Sequence, residues 1–191
     1  MSKYQMMKQI EDSVKNCKKC DLYKTRKKIV FGEGLINTDV FFIGEAPGKK
    51  EDQQGKPFVG RAGKLLDELL DSIGLKRGEI FISNIIKCRP PKNRNPLRSE
   101  IKACKYYLEK QIEIIKPKII IPLGNFASSF VFDKYDLKKS KISNISGKVF
   151  RQKNIDLIPI YHPAAAIYDP NKKSVLLNDF KVIKKQLKKI K

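Results

Sequence analysis

The chain has 191 residues, 41% of them hydrophobic, and 41 lysines and arginines against 20 aspartates and glutamates give a formal net charge of +21. This length and apolar content predict one globular domain over residues 1–191, and the sequence shows neither an apolar stretch long enough to cross a bilayer nor a secretion signal. We therefore expect a cytoplasmic protein with no membrane partner. Its positive charge favours a polyanionic partner, most simply nucleic acid, over a lysine-rich surface that is merely solvated.

The first predicted strand, Val40–Gly44, is an unbroken apolar run of the kind found in strands that are covered on both faces. It ends at the turn-forming residues Glu45–Gly48, and a polar, glycine-rich loop then extends from Glu51 to Gly63. Loops of this length are usually functional or disordered. Because ligands of open α/β folds bind beyond the carboxyl ends of the strands, this loop is the first candidate for a functional site.

Helices and strands alternate along the rest of the chain. The predicted helices cover residues 3–16, 61–73, 96–115, 125–132 and a C-terminal stretch that includes 176–190. The other predicted strands cover residues 79–84, 119–124 and 155–161, and the basic segment 138–153 is expected to form a surface hairpin. In the third helix, Leu97 and Cys104 belong to a pattern of apolar residues at helical spacing, so both should face inward. The alternation predicts an α/β fold with a parallel sheet.

Three loops, after the first, second and fourth strands, should converge on one edge of that sheet. The second loop is rich in proline and is expected to contact phosphates through its basic residues, which are Lys87, Arg89, Lys92 and Arg94. The fourth strand leads to His162, the only histidine of the chain. A single histidine before a proline can also be purely structural, so its interpretation depends on what else reaches this edge.

The cysteine spacing predicts one metal site. The four cysteines are Cys17 and Cys20, in a C-x2-C pair, and Cys88 and Cys104, which are separated by a long segment from the first pair. Disulfides are disfavoured in the cytosol, so four thiolate ligands to one metal site are the expected arrangement. Zinc and a four-iron four-sulfur cluster both accept four thiolates, and spacing alone does not separate them.

The motifs in these loops resemble those of the family 4 uracil-DNA glycosylases, and the resemblance covers nearly the whole chain. The motifs are Gly44-Glu45-Ala46-Pro47-Gly48, Glu51-Asp52, Gly55 to Gly63, Asn84, Lys87 to Pro91 and His162-Pro163-Ala164-Ala165. The resemblance implies a three-layer α/β/α fold with a central, mainly parallel sheet, for which we expect four strands. It implies one four-iron four-sulfur cluster on the four cysteines. It further implies a DNA repair hydrolase, which we expect to be monomeric, that removes uracil from single- or double-stranded DNA.

The family pattern also implies a uracil pocket. Its predicted residues are Gly44, Glu45, Ala46, Glu51, Phe58, Asn84, Asn93 and His162, with Glu45, Asn84 and His162 as the catalytic candidates. An enzyme that cuts the bond between base and sugar must flip the nucleotide and hold the base by stacking and by its edge. Phe58 would stack on the base, and the Asn84 amide would pair with O4 and N3–H of uracil but not with cytosine. His162 would stabilise the charge that develops on O2.

The residue that positions the attacking water is left open by the motifs. In the best-known branch of the wider superfamily an aspartate follows the second residue of the first motif, whereas this chain has Ala46. Glu45, or Glu51 through a water, is the candidate for this role. The segment from Ala165 to Tyr168 would fill the gap left by the flipped base, although the family usually has arginine in place of Tyr168.

Two other functions fit parts of the sequence. Glycosylase-related domains attached to some phage polymerases share the fold and cluster, so the chain could be a non-catalytic DNA-binding module. Intact Asn84 and His162 argue against that alternative. A zinc-bound RNA-binding protein is the third hypothesis, and the brown colour of an iron-sulfur protein would distinguish the two metals.

Overall fold

The computed structural model describes residues 1–190, which form a mixed six-stranded sheet with helices on both faces. The strands are β1 (Glu33–Gly34), β2 (Val40–Gly44), β3 (Phe81–Asn84), β4 (Ile119–Pro122), β5 (Phe150–Gln152) and β6 (Ile155–Leu157). The helices are α1 (Lys3–Lys15), α2 (Lys49–Gln54), α3 (Arg61–Ser72), α4 (Arg98–Ile115), α5 (Gly124–Lys134), α6 (Ile142–Ile145), α7 (Pro163–Tyr168) and α8 (Pro170–Ile190). The predicted α/β class is confirmed.

The centre of the sheet is parallel, as the alternation of helices and strands predicts. The strand order is β1-β3-β2-β4-β6-β5, in which β2 runs parallel to β3 and β4, and β4 runs parallel to β6. Every residue of β2, β3 and β4 is buried, because helices cover both faces of these strands. The register places Gly44 opposite Asn84, so the ends of β2 and β3 lie side by side.

The sheet has six strands, whereas the sequence predicts four. The two additional strands are antiparallel edges, with β1 paired to β3 and β5 paired to β6. Strand β1 has only two residues and β5 only three, and neither contains the apolar run that marks the central strands. The hairpin expected within residues 138–153 uses β6 as its second strand, so it ends later than predicted.

Two hydrophobic cores separate the molecule into three layers. Successive side chains of β2 point to opposite faces of the sheet. Phe41 and Ile43 belong to the core that also contains residues of α1 and α4. Phe42 belongs to the opposite core, where it stacks on Phe180 of α8 and packs with Leu66 of α3. The predicted three-layer arrangement follows from this division of one strand between two cores.

Two local predictions about helices differ from the structure. The short helix α2 (Lys49–Gln54) overlaps the first residues of the segment Glu51 to Gly63, which the sequence predicts as an irregular loop. Leu97 is 53% exposed because it precedes α4 in extended backbone, where helical periodicity does not apply, so its predicted inward orientation is wrong. Cys104 is buried, as predicted. Within residues 1–190, no helix is both long enough and apolar enough to span a membrane.

Candidate active site

A cavity of about 590 Å³ opens beyond the carboxyl ends of β2 and β3. Its lining includes all but one of the residues predicted to form the pocket: Glu45, Ala46, Glu51, Phe58, Asn84, Asn93 and His162. The exception, Gly44, ends β2 directly beside Asn84 and Phe58. The structure therefore brings the three predicted loops together at one edge of the sheet.

Two glycines allow close packing at the base of this cavity. A Cβ atom on Gly44 would collide with Oδ1 of Asn84 and would lie 2.7 Å from Cζ of the Phe58 ring. A Cβ atom on Gly63, in the first turn of α3, would run into the backbone carbonyl of Phe58. Only glycine has no Cβ, so these positions permit the aromatic ring and the amide to approach the strand end.

The backbone of Phe58 is held from two sides. Its φ of 52° lies in the left-handed region, which a bulky residue adopts only with support. The Arg77 guanidinium donates a hydrogen bond of 3.1 Å to the carbonyl oxygen of Phe58. Oε1 of Glu51 accepts hydrogen bonds from the backbone N–H groups of Val59, at 3.0 Å, and Gly60, at 2.8 Å. These contacts fix the position of the ring that lines the cavity.

Asn84 is the last residue of β3 and is only 2% exposed. Its side-chain oxygen, Oδ1, is buried and has no hydrogen-bond partner among residues 1–190. Buried polar atoms are nearly always hydrogen-bonded, because giving up water without a replacement is costly. An unpartnered acceptor in the lining of a cavity indicates a ligand with a matching N–H donor.

His162 precedes α7, and its ring stacks on Phe58 with centroids 5.6 Å apart and planes inclined by 24°. Its Nδ1 accepts a hydrogen bond of 3.1 Å from the backbone N–H of Ala164. Burial lowers the pKa of His162 to about 4, although the negative charge of Glu51 acts in the opposite direction. At neutral pH the imidazole is therefore uncharged, carries its proton on Nε2, and can donate one hydrogen bond to a ligand.

The two carboxyl groups of the cavity are in different situations. Burial raises the pKa of Glu45, which makes its carboxylate a stronger base than that of an exposed glutamate. Glu51 instead uses Oε1 to hold the Phe58 loop. Ala46 lines the cavity without adding a polar side chain. The sequence does not decide which of these two glutamates positions the attacking water, but their surroundings in the structure distinguish them.

The loop after β3 differs from the basic surface that the sequence predicts. Lys87 is 0% exposed, so the prediction that it contacts phosphate is wrong, because tertiary packing covers a lysine that lies in a basic run. Arg94 pairs with both carboxylate oxygens of Glu100, at 2.9 and 2.6 Å, which offsets much of its charge. Arg89 Nε donates a 2.7 Å hydrogen bond to Oδ1 of Asn93, so Asn93 orients this arginine beside the cavity.

Several basic residues around the cavity have no role in the prediction from sequence. Lys49, Lys50 and Arg61 line it. Arg61 also donates a 2.8 Å hydrogen bond to the Tyr168 hydroxyl and lies over its ring, which joins the start of α3 to the end of α7. The two lysines directly follow the turn at Gly48 in the sequence, which is a local signal for them. Nothing local marks Arg77, whose contact with Phe58 depends on tertiary structure.

The four cysteines surround one small cavity between the end of α1, the segment after β3, and α4, and all four are free. Arg26 Nη1 donates to Sγ of Cys88 at 3.4 Å, and the backbone N–H of Lys87 donates to Sγ of Cys104 at 3.3 Å. Burial raises the pKa of the Cys104 thiol to about 12, so its ionisation requires a compensating charge such as that of bound metal.

Over residues 1–190, no group of three or more His, Cys, Asp or Glu side chains is arranged so that it could hold a metal ion. An iron-sulfur cluster places several iron and sulfide atoms between its thiolate ligands, so these ligands do not need to meet at one point. Four free thiols around one cavity, two of them facing N–H donors, form a donor set that fits such a cluster.

Comparison with known proteins gives a consistent result. The family model of the uracil DNA glycosylase superfamily matches residues 31–188. The chain is 49% identical to the Type-4 uracil-DNA glycosylase of Saccharolobus solfataricus over 183 residues, which cover 93% of this chain and 85% of that protein. It is 46% identical to the Type-4 uracil-DNA glycosylase of Archaeoglobus fulgidus over 184 residues, which cover 93% of this chain and 92% of that protein.

Proposed function

The chain belongs to the uracil DNA glycosylase superfamily, and we propose that it hydrolyses the bond between C1′ of deoxyribose and N1 of uracil in DNA. It is a DNA repair enzyme that acts on uracil, as its similarity to Type-4 uracil-DNA glycosylases over nearly the whole chain supports. The net charge of +21 suits a polyanionic substrate. Release of the base leaves an abasic site, with which base excision repair begins.

The unpartnered Oδ1 of Asn84 is the observation that carries this proposal. A flipped uracil would donate its N3–H to Oδ1 and accept a hydrogen bond at O4 from the amide nitrogen. Cytosine has an acceptor at N3 and an amino group at position 4, so it would leave both atoms of the amide without a partner. The fixed ring of Phe58 would provide the stacking surface.

His162 would stabilise the leaving base. As the C1′–N1 bond breaks, its electron pair moves onto uracil and negative charge accumulates on O2. The neutral ring donates Nε2–H to that oxygen, while the hydrogen bond from Ala164 to Nδ1 maintains the tautomer. Removal of one donor that is aligned with developing charge typically costs about 3 kcal/mol of transition-state stabilisation.

Glu45 is the better candidate for positioning the attacking water. Its raised pKa suits a group that accepts a proton from water while the water oxygen bonds to C1′. Glu51 has one carboxylate oxygen committed to the backbone of Val59 and Gly60. We therefore assign Glu45 to the water and Glu51 to the support of Phe58.

We propose that Cys17, Cys20, Cys88 and Cys104 hold one four-iron four-sulfur cluster. When bound, the cluster would link α1, the segment after β3, and α4 through bonds to iron. The purified protein should be brown and contain about four irons per chain, and Cys104→Ser should lose most of them. A colourless protein that is folded and active without iron would contradict this assignment.

We also propose that the protein acts as a cytoplasmic monomer in which residues 1–191 form one domain. Side chains of one chain line the whole cavity. Helix α1, which precedes the matched residues 31–188, packs with α4 in a shared core. Light scattering after size-exclusion chromatography tests this proposal, and the mass of a dimer would contradict it.

The function is tested with a labelled oligonucleotide that contains one uracil, in single- and double-stranded form, without added metal or nucleotide. We expect release of uracil, detected as alkali-sensitive abasic sites, and no release from matched thymine or cytosine oligonucleotides. His162→Ala should lower the single-turnover rate about 100-fold or more while DNA binding changes little. A protein that binds the oligonucleotide without releasing uracil would be a DNA-binding module, which would overturn the proposal.

A further inference from the structure

Lys87 is a buried lysine that the proposed chemistry does not use. Its side chain is 0% exposed, although it lies beside a cysteine in a basic segment. Its Nζ donates to three uncharged acceptors, which are Oγ of Ser83 at 2.5 Å, the backbone carbonyl of Asn84 at 2.9 Å and Oε1 of Gln111 at 2.7 Å. Burial lowers the pKa of Lys87 to about 7, and the three hydrogen-bond acceptors are what stabilises its protonated form.

The three acceptors join separate parts of the fold. Ser83 and Asn84 are the last two residues of β3, whereas Gln111 lies in α4. Ser83 Oγ and Gln111 Nε2 both donate to the carbonyl oxygen of Phe31, at 2.8 and 2.9 Å. The ammonium therefore lies at the centre of a buried network that connects the end of β3 to α4.

The Asn84 side chain depends on its surroundings for its orientation. Its amide oxygen has no partner among residues 1–190, so no hydrogen bond to that atom holds it while the cavity is free of ligand. The backbone carbonyl oxygen of Asn84, in contrast, accepts a hydrogen bond from Nζ of the buried Lys87. The backbone from which the amide projects is thus anchored by a residue that does not line the cavity.

We propose that Lys87 is a positioning residue that fixes the end of β3 so that the Asn84 amide is oriented to bind uracil. The same residue donates its backbone N–H to Cys104 Sγ, so it links the base-reading strand end to the cysteine site. This inference rests on the proposed function. It differs from a purely structural role, in which loss of Lys87 would lower stability without acting through Asn84.

A double-mutant cycle between Lys87→Met and Asn84→Ala separates these roles. Methionine has a similar length and is apolar, so it removes the charge and the three hydrogen bonds with little change in volume. Single-turnover uracil release should fall about 10-fold or more in Lys87→Met. In the Asn84→Ala background the same change should alter the rate less than about 2-fold, because residues that act as one unit are not additive. An equal loss in both backgrounds would overturn the proposal.

Iron content and visible absorbance are measured on every variant. Lys87→Met should retain the iron of the parent protein, because its backbone N–H and the cysteines are unchanged. If iron and activity are lost together, Lys87 supports the cysteine site and not Asn84, and the proposal fails. If the parent protein itself does not release uracil, the proposed function fails first, which is a distinguishable result.

Gln111→Met is the matched control, since it removes another hydrogen bond of the same ammonium without touching Asn84. We expect a lower Tm and a release rate within about 2-fold of the parent. A loss as large as that of Lys87→Met would show that the network as a whole, and not the contact with Asn84, determines the rate. If Lys87→Met does not fold, Lys87→Gln replaces it in the cycle. Its shorter, uncharged side chain also loses the hydrogen bond to the backbone carbonyl of Asn84, so the same loss of about 10-fold should appear and should disappear with Asn84→Ala, whereas an unchanged rate would overturn the proposal.

Discussion

The environments of Phe58, Asn84 and His162 are set by hydrogen bonds to the backbone or side chain of each residue or its neighbours. Arg77 and Glu51 hold the backbone around Phe58, Lys87 holds the carbonyl of Asn84, and the backbone of Ala164 orients His162. These supports leave the ring face of Phe58, the amide of Asn84 and Nε2 of His162 free to contact a base. The cavity is therefore organised before a ligand binds, which reduces the ordering cost of binding.

Asn84→Asp should impair uracil release severely, by about 100-fold or more. The carboxylate loses the N–H donor for O4, and its charge would repel that oxygen. Burial beside Phe58 favours the protonated acid, whose hydroxyl and carbonyl match N3 and the amino group of cytosine, so slow cytosine release is also expected. Both rates are measured on matched single-stranded oligonucleotides, with Asn84→Ala as the control that should slow uracil release without gaining cytosine release. Uracil release near that of the parent would show that Asn84 does not read the base.

His162 should make the protein less stable in acid. Its pKa is about 4 in the folded state against an ordinary value of 6.5, so the unfolded chain takes up a proton first as the pH falls. Stability is therefore lost between pH 6.5 and about 4. Lowering the pH from about 7.5 to about 5 should decrease the Tm of the parent by several degrees more than that of His162→Gln. Glu45 titrates in both proteins, so the comparison isolates His162, and equal decreases would contradict the lowered pKa.

At the scale of elements, the end of β2 determines how the cavity is built. Its last residue, Gly44, pairs with the last residue of β3, and the following segment turns away at Pro47 into α2. Glu51 of α2 then accepts a hydrogen bond from the backbone of the loop that carries Phe58. The strand end therefore lies against the Phe58 ring, and the helix that follows it holds the backbone just after Phe58.

Gly44→Ala should lower uracil release at least 10-fold while the protein stays folded. The new methyl group would displace the Asn84 side chain and the Phe58 ring, which can move more easily than the strands, and overpacking of this kind costs about 1–3 kcal/mol. Single-turnover rates and Tm values are compared with Gly78→Ala, where a Cβ atom meets nothing within 4 Å. Rates that are equal in the two variants would mean that the close approach at Gly44 is not needed.

At the scale of the whole molecule, the positive charge is not confined to the predicted loop. Lys49, Lys50 and Arg61 lie at the cavity, whereas Lys184 and Lys188 line a groove at the opposite end of β2. The two lysine pairs thus belong to opposite ends of the sheet. Only the charges at the cavity end are placed to contact the phosphates around a flipped nucleotide.

DNA binding should depend steeply on salt. About four phosphate contacts, from Lys49, Lys50, Arg61 and Lys92, predict a slope of about −3 to −4 in a plot of log K against log salt. Replacing Lys49 and Lys50 by Gln should reduce the magnitude of the slope by about 1.5, since each lost contact removes slightly less than one counterion. The same replacements at Lys184 and Lys188 should leave it unchanged, and equal effects of the two pairs would contradict this assignment.

The sequence by itself determined the parallel centre of the fold and predicted many of the residues that line the cavity. Long apolar runs such as Val40–Gly44 and periodic helices such as the one after Pro96 are local patterns, so they predict elements directly. Parallel strands bring their carboxyl ends to one edge, which is why Asn84 and His162 could be placed together before the structure was known. The edge strands β1 and β5 were not predicted, because strands of two or three residues are too short to show a periodic pattern.

Only the tertiary structure decided the state of each group in that site. Burial depends on packing between distant segments, so the sequence could not show that Lys87 is inside, that the pKa of His162 is lowered, or that Glu51 is occupied by backbone N–H groups while Glu45 is not. The sequence supplied the chemical groups of the site. Their charge, orientation and hydrogen bonds came from the folded arrangement of the chain, because desolvation and hydrogen bonding act through space.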